Sequence, residues 1–161
     1  MAHKVHIYDT VAGFDAEGWM RPVRTIETDD PVEAIRLAYE ALDAARSISA
    51  ASVKPDWRLC ADLAGYFRLT NAVADWSEAN PIEGAWVGRL VEDPAHWAGY
   101  GVHTPEELEK SLLLADYSDT HKEITGFRPR DTELGMDTPI EEIEAAYDRL
   151  RPKAALDHPE L

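Results

Sequence analysis

A chain of 161 residues with 45% apolar content is long enough to bury a real core and is read as one globular domain. No apolar run approaches the ~18 residues that span a bilayer, and the single cysteine, Cys60, excludes an internal disulfide framework. Thirty-one acids against sixteen bases leave a net charge of −15, which argues against direct binding to a nucleic-acid backbone.

Residues 3–9, HKVHIYD, alternate Val5 and Ile7 with polar neighbours and read as a strand. A Gly-containing loop, TVAGFDAEGWMRP, leads to a second strand over residues 23–28, giving an antiparallel ribbon. Two strands alone are marginal, so the ribbon must pack on helices. Next, DDPVEAIRLAYEALDAARS reads as a helix, with Asp30 as cap, Pro31 at the first helical position and Glu33 completing a capping box. Its apolar stripe is Val32, Ile35, Tyr39 and Leu42.

Between residues 56 and 78, Cys60, Leu63, Phe67, Val73 and Trp76 recur at near-helical spacing, predicting one or two helices broken near Gly65. Cap, proline and a following Glu recur at Asn80-Pro81 with Glu83, Thr104-Pro105 with Glu107, and Thr138-Pro139 with Glu141; Asp93-Pro94 is a weaker start. The AWVGRLVED stretch fits helix or strand equally. The helix after Thr104 is predicted to end around Asp116 or Tyr117. Ser118 then caps a short second helix that Gly126 ends, and Phe127 folds back on the core. The expected architecture is α+β, mainly α. A small antiparallel β element over 1–28 packs on a helical body over 29–156, with a tail over 157–161.

No pattern nominates a metal or cofactor. His96 and His103 lie seven apart, and His3 and His6 would face opposite sides of their strand. There is no Gly-x-Ser-x-Gly, no phosphate loop, and Cys60 sits where a buried, inert thiol is the default. The least ordinary stretch is YSDTHKEITGFRPR, where Pro129 would hold Arg128 and Arg130 extended. Paired arginines suit a partner's carboxylate or phosphate, or the chain's own acids; both readings use the same residues.

Within it, SDTHKEITGFRPR, residues 118–130, resembles a segment of small bacteriophage and prophage proteins, roughly S-D-x-[HY]-K-[DE]-x-x-G-x-R-P-R. The resemblance implies a mobile-element origin and brings no catalytic residue. Small acidic phage proteins of the host cytoplasm are often inhibitors of host defence, of the anti-CRISPR or anti-restriction kind. Some present carboxylates where the defence machinery expects phosphates. Residues 131–161 carry nine acids against three bases. In PIEEIEAAYDRL, Glu141, Glu144 and Asp148 fall on one stripe and Ile140, Ile143, Tyr147 and Leu150 on the other.

The expected function is therefore a non-enzymatic, cytoplasmic binder whose partner is a basic surface of a host nucleic-acid-binding complex, with no nucleic acid or membrane bound directly. Glu141, Glu144, Asp148, Arg128 and Arg130 are the candidate partner-binding residues. Acids three or four apart on a helix stand about 5–6 Å apart, against ~3.4 Å between charges on one DNA strand. Duplex mimicry would need Glu33, Glu40 and Asp43 in the same surface, or a homodimer. A small enzyme is the alternative from another class, with His121 and Glu123 or Asp119 as general base and Arg128/Arg130 as anion clamp. A structural or accessory phage protein is the third.

Overall fold

The computed structural model describes residues 1–10, 21–45, 50–130 and 134–157, with side chains through Leu150 in the last helix. The connection at 11–20 and residues 158–161 of the expected tail lie outside the described residues, and Asp157, placed in that tail, ends the last helix instead. The chain gathers into two compact units, Met1–His96 and Trp97–Leu161, and the arrangement is α+β, mainly α, as expected.

In the first unit, β1 (His3–Tyr8) pairs antiparallel with β2 (Pro22–Thr28). A third strand that the sequence reading missed, β3 (Ala51–Lys54), pairs antiparallel with the other edge of β1. The order β2-β1-β3 puts β1 in the middle, with Val5 facing Ile26 on one side and Val53 on the other. A helix, α1 (Pro31–Ala45), covers that face. It does so with Ala34, Ala38 and Leu42, all fully buried, while Val32 is 74% exposed. The covering stripe is thus displaced from the one read off the larger residues. Alanine at two of its positions lets the helix approach the strands closely, and Ile35 and Tyr39 pack at its flank.

Asp30 caps α1 by accepting the Val32 N–H at 2.9 Å. Glu33 does not close a capping box: its two carboxylate oxygens take Arg36 at 2.6 and 2.9 Å, and the Asp30 N–H donates to Thr28 Oγ1. Beyond β3, a single turn at Trp57–Leu59 precedes α2 (Leu63–Thr70) and α3 (Ala72–Ala79). The break between the two helices falls at Asn71. Gly65 instead lies in the first turn of α2, donating its N–H to the cap residue Asp62 at 2.8 Å. Cys60 is half-buried, with its Sγ–H 3.5 Å from the Asp56 carbonyl.

His3 and His6 lie on opposite faces of β1. His3 is fully buried, and its Nδ1 accepts the Asp56 N–H at 2.9 Å, so the neutral ring carries its hydrogen on Nε2. Burial pushes its pKa below the ordinary histidine value, against the opposing pull of Asp56 and Asp29. Burial would also raise the Asp56 carboxyl, but the Arg58 guanidinium, 2.8 and 2.9 Å away, holds it below the usual range.

A pH dependence follows. Protonating His3 removes the acceptor that Asp56 uses and buries a charge, so as pH falls the unfolded chain takes up the proton first. The contribution of His3 is full above ~6.5, the unfolded value, and is lost as pH drops through the folded one. Urea midpoints should therefore decline below ~6.5. His6 acts in the same sense, its pKa lowered by burial and by Lys4 and Lys54. His3→Asn keeps an acceptor without titrating and should flatten the decline; equal slopes in both proteins would reject the assignment.

The segment after α3 is not helical, although Asn80-Pro81 and Glu83 spell a start. It runs irregularly to the short α4 (Pro94–Ala98). In the second unit, α5 (Pro105–Thr125) opens with the expected box. Thr104 Oγ1 accepts the Glu107 N–H at 3.2 Å, and Glu107 reaches back to the Thr104 hydroxyl and the His103 N–H. The helix continues through Ser118 without a break and ends at Gly126, whose φ of +84° is the left-handed cap. The last helix, α6 (Ile140–Asp157), packs on α5, burying Ile140, Ile143, Ala146 and Leu150. The Tyr147 hydroxyl lies 3.3 Å from Thr120 Oγ1 of α5. No described helix is long and apolar enough to cross a membrane.

Candidate functional site

The residues singled out by sequence lie at the C-terminal end of α5 and along the outer face of α6. Lys122 C=O accepts the Gly126 N–H at 2.8 Å, which turns the chain out of the helix. His121 Nδ1 then donates to the Phe127 carbonyl at 2.7 Å. The Thr125 hydroxyl lies 2.8 Å from the His121 carbonyl and 3.0 Å from that of Phe127. These contacts fix the turn without help from the Phe127 side chain, which is 68% exposed rather than folded onto the core.

The turn aims Arg128 back along α5. Its Nη1 donates to Asp119 Oδ1 at 2.6 Å and to Ser118 Oγ at 3.0 Å. Ser118, read as a helix cap, is thus an acceptor for a guanidinium in mid-helix. Arg130 is exposed. His121 and Asp119 serve different partners, one the main chain and the other Arg128, and Glu123 points to solvent. The general-base pairing of His121 with Asp119 or Glu123 is not formed. Among the described residues, no three His, Cys, Asp or Glu side chains come together as metal ligands.

On α6, Glu141, Glu144 and Asp148 are all exposed, and Glu142 beside them is exposed too. Among the described residues none of the four takes part in a salt bridge. The acids of α1 differ. Glu33 and Glu40 both bind Arg36, at 2.6 and 2.7 Å, and Asp43 accepts the Trp76 indole N–H at 3.0 Å. The Arg36 hydrogen bond holds the Glu33 carboxyl below its usual range. Those three acids are engaged within their own unit, whereas the α6 row is open to solvent.

One feature was missed by the sequence reading. Trp86 is 85% exposed on the loop after α3, and that loop is pinned to α3 by Asn71 and Arg89. The only local hint was an aromatic residue between Gly84 and Gly88 in a stretch of undecided structure.

No family model, curated protein or solved structure matches the chain.

Proposed function

We propose that this chain is a non-enzymatic binding protein of phage or mobile-element origin. It acts as an inhibitor of the anti-CRISPR or anti-restriction kind, docking on a basic, nucleic-acid-handling surface of a host defence complex. The observation that carries this reading is the open acidic row of α6, with Glu141, Glu144 and Asp148 exposed while Ile140, Ile143 and Leu150 are buried. Such a row steers a basic partner into place, and residues elsewhere supply the short-range energy. The origin rests on the segment at 118–130, and with it the class of partner.

Docking here means one acidic helix face against a basic groove. Raising that row to the charge density of a duplex takes a second copy of the chain, since Glu33, Glu40 and Asp43 already serve other groups. A salt series on a captured partner tests the reading. Capture from bacterial host lysate at ~0.05 M salt should recover a nucleic-acid-handling complex that is released near ~1 M, where the screening length is only ~3 Å. A complex equally retained at both strengths would defeat the electrostatic docking.

A further inference from the structure

We propose that Trp86 is a cation-stacking anchor, an indole held out on a pinned loop among acids to receive an arginine or lysine side chain from a basic protein partner. The inference rests on the reading that the partner is basic and adds a second contact, in the first unit, to that of α6.

Trp86, at 85%, is the most exposed large hydrophobic among the described residues. It belongs to the 14-residue stretch between Ala79 and Pro94, which has no helix or strand. Irregular loops longer than about 12 residues are usually functional or disordered. This one is held in place by polar groups. Asn71, 1% exposed, donates to the Leu90 carbonyl at 3.0 Å and accepts the Leu90 N–H at 2.9 Å, so the side chain pairs with the loop as a strand would. The Arg89 guanidinium gathers Asp75 at 2.6 Å, Glu78 at 2.9 Å and Glu92 at 3.2 Å. One edge of the indole lies over Gly88, with Cη2 3.5 Å from where a Cβ would stand. A hollow of about 480 Å³ opens beside it, lined by Ala74, Ser77, Glu78, Ala85, Val87 and Arg89. The Ser77 hydroxyl is buried there without a partner.

An ordered loop that displays its largest apolar group to water has the form of a pre-organised anchor, since little freedom remains to be lost on binding. The surroundings select the occupant. Residues 75–93 hold five acids and one base, Arg89, whose charge is shared among three of those acids. The face of an indole attracts cations, and the net negative charge of the segment that carries it adds to that attraction. The same acids repel a phosphate chain, so stacking on a nucleic-acid base is disfavoured.

The test uses ¹⁵N-labelled protein and an end-blocked hexa-arginine peptide, followed through the tryptophan indole N–H signals. Trp86→Ala identifies its own signal by loss. Being exposed, the residue should be replaceable without lowering the melting temperature. The Trp86 signal should shift through the titration, and Trp86→Ala should bind the peptide about two- to five-fold more weakly. An unmoved signal at saturation, or equal affinity, overturns the anchor. In the Glu141/Glu144/Asp148→Lys variant the Trp86 shift should persist. Its disappearance there would mean that the peptide reports on α6, and would also overturn the anchor. Loss of a host partner by that variant alone bears on the α6 surface and leaves the Trp86 result standing.

Discussion

Asn71→Ala is expected to lower the unfolding free energy by about 2–3 kcal/mol, although the residue lies in no helix or strand. The side chain is almost fully buried and makes three hydrogen bonds, two with the main chain of Leu90 and one at 3.0 Å to Glu92 Oε1. Truncation removes the bonds and leaves the Leu90 N–H and C=O seeking partners at a half-buried position. Chemical denaturation would measure the loss, and hydrogen exchange at the Leu90 amide would show whether the loop is released. Arg89→Ala provides the comparison. Its ion pairs are largely solvent-exposed, so about 1 kcal/mol or less is expected. If the two variants cost the same, the loop is held by something other than the Asn71 clasp. Release of the loop should also abolish the Trp86 response to hexa-arginine, since the indole would no longer be held ready.

Helix starts were legible where local chemistry decides them. Thr104, Pro105 and Glu107 form the box their order predicts, and Asp30 with Pro31 begins α1. The same spelling at Asn80, Pro81 and Glu83 produces no helix. Gly84, with φ of +76°, follows at once, and Arg89 and Leu90 are drawn to α3 by residues 14 to 19 positions away. A capping pattern reports the energy of one turn, and here tertiary bonds outweigh it. At Ser118 the reverse occurs: a cap-prone residue stays within the helix while its hydroxyl accepts from Arg128. The third strand is four residues long, too short for its alternation of Ala51 and Val53 with Ser52 and Lys54 to stand out.

The candidate site was legible in outline. Helical periodicity alone separates Glu141, Glu144 and Asp148 from Ile140, Ile143 and Leu150, and burial divides them the same way. The fate of each charge depends on what folds against it, which no local pattern records. Thus Arg128 is engaged by Asp119, while Glu33 and Glu40 are engaged by Arg36. Trp86 was hidden for a related reason: no local pattern in AWVGRLVED records whether the chain carries its tryptophan inward or outward.

Reversing the α6 row, with Glu141→Lys, Glu144→Lys and Asp148→Lys together, is expected to weaken binding to the captured partner about 100-fold at ~0.1 M salt. An exposed ion pair contributes about 0.5 kcal/mol, so neutralising three of them costs about ten-fold and reversal doubles the free-energy change. The neutral set Glu141→Gln, Glu144→Gln and Asp148→Asn should therefore fall midway on a logarithmic scale. Glu141 sits in the first turn of α6, where a carboxylate favours the helix dipole and a lysine opposes it. Circular dichroism should show intact helix in both sets, and the neutral set carries the smaller penalty at that position. Near ~1 M salt the three proteins should converge to within a few-fold, because separated charges are then screened. A loss that persists at high salt would assign these residues to packing rather than steering. Binding unaffected by either set would make the row an ordinary solvated face and move the partner surface elsewhere.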